Sequence, residues 1–253
     1  MNDPQVVALI YHIEHGDSVS YEDAKSFVHD EPEFRVKIKN KEVCFEFKKH
    51  YATEAEARKS IDEYIRLWEL DAGLRHGLDY FELKFDRAKI VDQNPTPGEI
   101  EVSATITSGP VKISATLTIA PPEYPSPPSG LSIDPDVQTM YKRYMNYLRG
   151  YEPLPSMAYF CLTILEYIAN TRRSAAQHFN ISKRVLDEIG ELSTKTGGRR
   201  EARKRDGVNR DLTEQERRFL EEAVKKMIYR AAEKANDPTK NLRQITLNDL
   251  PTP

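Results

Sequence analysis

Residues 33–47, EFRVKIKNKEVCFEF, alternate apolar and polar positions twice over. Phe34, Val36 and Ile38 share one face, a short polar turn follows, and Val43, Phe45 and Phe47 share the next. A period of two puts every second side chain on the same side of a pleated strand, so this run predicts a hairpin with one buried face. At Thr53 the period changes. Thr53 and Glu56 form a capping-box pattern, and Ala57, Ile61, Tyr64, Ile65 and Trp68 then recur at helical spacing. Alternation returns in YFELKFDRAKIVD, 80–92, and in two more runs, EIEVSATITSG and VKISATLTIA, joined at Ser108-Gly109-Pro110. In those runs Ile100, Val102, Ala104 and Ile106 share a face, as do Val111, Ile113, Ala115, Leu117 and Ile119. The expected architecture over residues 1–120 is an α+β domain, about five mostly antiparallel strands with one helix across them.

The segment PPEYPSPPSG, 121–130, holds five prolines in ten residues. Proline lacks the amide proton that helix and sheet both need, so a stiff extended linker is expected over 121–134. Beyond it, residues 135–253 read as an all-α helical domain. Val137, Met140, Tyr141, Tyr144, Met145 and Leu148 predict an amphipathic helix ending at Gly150. SMAYFCLTILEYIAN, 156–170, is apolar nearly all round, as a central helix would be. Thr213 and Glu216 form a second capping box, before a helix carrying Phe219, Leu220, Ala223, Val224, Met227, Ile228 and Ala231. For the tail, QITLNDLPTP, the pattern leaves packing back and staying loose both open.

Between those helices lies RRSAAQHFNISKRVLDEIGEL, 172–192. Ser174 with Gln177 predicts a cap for a short first helix, Ala176 is a small residue for a close crossing, and Phe179 fills the core. Asn180 falls where the chain must turn, and Asn tolerates a positive φ. Ile181 anchors the turn, Ser182 caps a second helix, and Leu186 and Ile189 face inward. Over about 20 residues this order resembles the helix-turn-helix family of DNA-binding motifs. That resemblance implies a second helix in the major groove, with Ser182, Lys183, Arg184 and Asp187 reaching base edges and Arg172 and Arg173 holding phosphate.

Charge sharpens this expectation. The net charge is −3, but residues 1–134 carry 15 Lys+Arg against 24 Asp+Glu, whereas residues 135–253 carry 22 against 16. The basic half is the one suited to phosphates. KTGGRREARKRDGVNR, 195–210, alone holds seven basic residues against two acidic ones, and three glycines. Lys195, Arg199, Arg200, Arg203, Lys204 and Arg205 are therefore candidate phosphate contacts. The loop lacks the Gly-Lys-Ser/Thr ending of a P-loop, so nucleotide hydrolysis is not suggested.

A second reading starts from Arg173 and His178, which have four residues between them. The spacing resembles the Arg-x4-6-His signature of the HEPN ribonucleases. In that family the His polarises the ribose hydroxyl and the Arg stabilises phosphate charge, which would make these two residues catalytic. A third reading has neither activity, both halves being parts of a larger assembly. Other chemistry finds little support. His12, Glu14 and His15 lack the spacing of a zinc peptidase helix, and no dinucleotide fingerprint or nucleophile elbow occurs, so neither metal nor cofactor is expected. Tyr141, Tyr144, Tyr147 and Tyr151 are expected to pack rather than stack on bases. Glu166, a carboxylate in an apolar helix, calls for an Arg or Lys partner. Cys44 and Cys161 sit in unlike contexts and read as reduced packing residues.

The start, MNDPQVVALIYHIEHGD, has no basic stretch and no uninterrupted apolar run, so no signal peptide is expected. The most apolar segment, MAYFCLTIL at 157–165, is far short of the ~20 residues that span a bilayer, and with two reduced cysteines a cytoplasmic protein is expected. The sequence thus points to a nucleic-acid-binding protein, DNA being favoured over RNA. Its acidic α+β half would serve as a sensor or dimerisation domain, with a homodimer or protein partner.

Overall fold

The computed structural model describes residues 3–17, 19–94, 123–195 and 210–253. They form two compact units. The first contains a five-stranded antiparallel sheet in the order β2-β3-β4-β1-β5, built from β1 (Pro4–Glu14), β2 (Phe27–Asp30), β3 (Phe34–Lys39), β4 (Glu42–Phe47) and β5 (Glu82–Asp92). The expected hairpin is β3–β4. Its strands meet at Lys39↔Glu42, and the two turn residues, Asn40 and Lys41, have φ of 53° and 64°. Two consecutive positive φ values match the right-handed twist of the flanking strands, and Asn favours the first of them. Phe34, Val36, Ile38, Val43 and Phe45 are all buried on one face. Over them lies the first half of α1 (Glu54–His76), whose Ala57 and Ile61 are fully buried and whose Tyr64 ring meets Phe34 edge-on at 5.0 Å.

The α+β architecture is therefore present, with five strands, but not all are the ones the pattern marked. β1 and β2 stand where no strand was expected. The two alternating runs at 99–109 and 111–120 lie outside the described residues.

The second unit is helical, comprising α2 (Pro135–Leu148), α3 (Leu154–Ala169), α4 (Arg172–His178), α5 (Lys183–Lys195) and α6 (Glu214–Asn236). It also takes in residues 66–78, so the second half of α1 contributes Leu70 and Leu74 to its core. Met140, Met157, Cys161, Leu165, Phe219 and Met227 fill the same core. Helix ends follow local chemistry. Asp134 caps α2, accepting the Val137 amide at 2.7 Å, and Gly150, at φ 75°, closes it. Thr213 and Glu216 form the expected reciprocal box at the start of α6, with bonds of 3.2 and 2.8 Å. The proline-rich segment is docked at each end within a unit. Tyr124 is buried and stacks on Tyr21 at 5.1 Å in the first, and the Ser132 amide donates to Ala232 O in the second. Among the described residues no helix is long and apolar enough to cross a membrane.

Candidate nucleic-acid interface

Helix α4 is seven residues long, its connection to α5 four, and α5 thirteen. The cap of α4 differs from expectation. Thr171, not Ser174, takes the N-cap position, accepting the Ser174 amide at 3.1 Å, and Ser174 sits inside the first turn. At the other end Asn180 has φ 49°. The Ile181 amide reaches back to Ala176 O (3.0 Å) and the Asn180 amide to Gln177 O (3.3 Å). This pair of bonds defines a Schellman ending, which satisfies the orphan carbonyls of a helix while reversing the chain. Ala175, Ala176, Phe179 and Ile181 are buried within the corner, and Val185, Leu186 and Ile189 bury the inner face of α5. Ser182 caps α5, its hydroxyl 3.4 Å from the Val185 amide.

The basic candidates divide into free and engaged. Arg173, Lys183 and Arg184 are exposed. Among the described residues Arg173 and Arg184 have no ion-pair partner, while Lys183 lies 2.7 Å from Asp187. Arg172, expected to hold phosphate, is instead engaged with protein carboxylates. Its Nε is 2.5 Å from Glu166 on α3 and its Nη1 3.5 Å from Asp187 on α5. The guanidinium rests on Gly190, where a Cβ would stand 2.8 Å from Nη1. Arg172 thus clasps three helices together and supplies the partner Glu166 called for. Asp187, expected among the base readers, is the hub of this clasp. Hydrogen bonding from Lys183 leads the effects that hold its carboxyl below the usual range, with Arg172 adding to it. Lys195 ends α5, and Arg199, Arg200, Arg203, Lys204 and Arg205 lie outside the described residues.

For the ribonuclease reading, Arg173 and His178 are both exposed on α4. Five positions at ~100° each place them about 140° apart around a helix, so α4 itself splays them rather than converging them. The His178 ring meets Phe179 edge-on at 4.6 Å.

Sequence reasoning missed a further part of this region. Residues 242–246 of the tail lie along the α4–α5 turn. Asn180 Nδ2 donates to Leu242 O (2.5 Å), the Ile245 amide to Asn180 O (2.9 Å), and the Ser182 amide to Ile245 O (2.8 Å). Ile181 and Ile245 form an isolated parallel bridge. The strap is also held from α6, where the buried Arg230 donates through Nη2 to Arg243 O at 2.9 Å. Burial pushes the Arg230 pKa down, against a smaller opposing effect from Glu233. A single-residue bridge has no periodicity, and its partner is some sixty residues distant, so no local signal announces it.

Elsewhere, His12 pairs with Asp86 at 3.3 Å, and the cavity lined by Glu14, His15, Gly16, Asp79 and Glu82 has Lys84 close to both glutamates. Among the described residues no three His, Cys, Asp or Glu side chains are grouped as a metal ion would require. Comparison with protein families, curated proteins and solved structures found no match to this chain.

Proposed function

We propose that the helical unit binds duplex DNA through the α4–α5 corner, the α+β unit serving as a separate sensor or dimerisation domain. The observation carrying this reading is the exposure of Lys183 and Arg184 together on the first turn of α5, directly after a buried, capped corner. Residues early in a helix of this kind are the ones that reach a groove. Arg184 offers a planar fork with no protein partner among the described residues, suited to the O6/N7 edge of guanine. Lys183 and the exposed Arg173 are suited to phosphate.

The test is an electrophoretic shift of the full chain with a mixed-sequence duplex and with a structured RNA, at low and moderate salt. Wild type is expected to retard the duplex more weakly as salt rises. Lys183→Ala/Arg184→Ala is expected to bind less tightly at every salt, its salt slope smaller by about one for each cation that no longer neutralises a phosphate. A folded wild type that retards no duplex overturns the reading. RNA shortened with time would shift the assignment to Arg173 and His178.

A further inference from the structure

We propose that the C-terminal strap is part of the DNA face and that Arg243 grips a backbone phosphate beside the α4–α5 corner. This rests on the DNA reading above and adds a cation from sixty residues further along the chain.

Three observations carry it. The first is placement. The bonds from Asn180 to Leu242 and Ile245, and from Ser182 to Ile245, run the strap parallel to the turn that delivers Lys183 and Arg184. Bridged backbones run roughly 4.8 Å apart, so Arg243 is mounted about one strand spacing from the corner. The second is rigidity. Arg230, with a side chain only 8% exposed, donates through Nη2 to the carbonyl of Arg243 itself, while its Nε lies 3.4 Å from Glu233. The backbone that bears Arg243 is therefore tied on one side to α6 and on the other to the turn.

The third is the state of the side chain. Arg243 is 85% exposed although its backbone is fixed, and its one ion-pair partner among the described residues is Asp249 at 2.7 Å. Asp249 has a separate task. Its other oxygen accepts the Thr246 amide and hydroxyl, both at 2.8 Å, closing the short 3-10 turn at Leu247–Asp249. An exposed ion pair in water stabilises little, and guanidinium has five donors, of which Asp249 takes one. A phosphate can join or replace that carboxylate while the strap stays in place. A long, solvated arginine on an ordered strap bonded to the turn that precedes Lys183 and Arg184 is an arrangement suited to a DNA backbone.

The experiment uses fluorescence anisotropy with a labelled 20-base-pair mixed-sequence duplex at four salt concentrations, on the full chain. Four variants are compared with wild type: Arg243→Gln, Arg243→Lys, Asp249→Asn and Lys183→Ala/Arg184→Ala. Arg243→Gln is expected to weaken binding roughly three- to tenfold near 0.1 M salt and to lower the salt slope by about 0.9, one phosphate's worth of counterions. Arg243→Lys keeps the charge and is expected to retain most of the affinity. Asp249→Asn removes a carboxylate while keeping an oxygen for Thr246, and is expected to tighten binding.

Two of these variants separate a phosphate contact from a structural role. Arg243→Gln and Asp249→Asn break the same ion pair, so a structural role predicts that both weaken binding, and that outcome overturns the proposal. So does a wild-type affinity and slope in Arg243→Gln when Lys183→Ala/Arg184→Ala is impaired; the DNA reading then survives without the strap. If a folded wild type binds no duplex, it is the DNA reading that fails.

Discussion

Glu216 shows how one side chain can answer several demands. It is buried at the N-terminus of α6, accepts the Thr213 amide at 2.8 Å and accepts Arg210 Nη1 at 2.7 Å. Arg210 is the largest of the effects that bring its pKa down to about 2, with Thr213 contributing and burial opposing. The sign of the pH dependence follows. A carboxyl whose folded pKa lies below its ordinary 4.5 binds fewer protons folded than unfolded between those values, so stability rises with pH across that window. Urea denaturation between pH 5 and pH 2 is therefore expected to show stability falling as the pH drops from about 4.5 to about 2. In Glu216→Gln that fall should be shallower by up to one proton. An unchanged slope in the variant would mean that Glu216 is not held as a carboxylate. Arg172 makes the complementary point. Sequence marks it as basic and well placed for phosphate, but Glu166 and Asp187 reach it first, and only the packing of α3, α4 and α5 reveals that.

At the scale of elements, legibility tracks how local the cause is. Caps, turns and amphipathic faces lie within a few residues of one another, and most are readable: the β3–β4 hairpin, the stop of α2 at Gly150, the capped start of α6 at Thr213, the positive φ of Asn180 and the inward face of α5. The first cap of α4 is not, because Thr171 and Ser174 are both good capping residues and helical spacing does not choose between them. β1 escapes for a different reason. Its buried set changes parity, from Val6 and Ala8 to Leu9, Tyr11 and Ile13, and its pairing with β5 shifts register after Val6 and again after Ile10. A bulge adds a residue to one strand of a pair and so resets the alternation that sequence reading depends on. β2 spans four residues, too short a run for any period to show. The Asn180 turn can be tested directly. Asn180→Ala must hold a Cβ-bearing residue without polar compensation at positive φ and loses the bond to Leu242 O, so a cost of about 1–3 kcal/mol is expected in chemical denaturation. Asn180→Gly relieves the backbone but does not restore that bond, and is expected to cost less. Equal costs would place the whole effect in the bond to the strap.

At the scale of the molecule, the charge division and the packing division do not coincide. Acidic and basic halves separate near residue 134, yet the core of the basic helical unit takes in residues 66–78 from the acidic half. Within that unit, Asp71 is 1% exposed and receives Tyr229 Oη and Arg75 Nε, each at 3.0 Å, while Tyr141 Oη donates to Glu69 O. Gly73 lies close under the Tyr141 hydroxyl, which leaves no room there for a Cβ. Leu70 and Leu74 are fully buried in the same core. If this segment is an integral part of the helical unit, its truncation should behave as a core mutation there. Leu74→Ala is expected to destabilise the helical unit by about 2–5 kcal/mol, the usual cost of a cavity. Hydrogen exchange locates the effect. Amides of Ser182 and Ile245, which close the corner and the strap against each other, should lose protection in Leu74→Ala along with those of α6, because one cooperative core holds them all. Unchanged exchange in α6 and at the corner, with loss confined to α1, would show instead that residues 66–78 are an appendage on a helical core that stands without them.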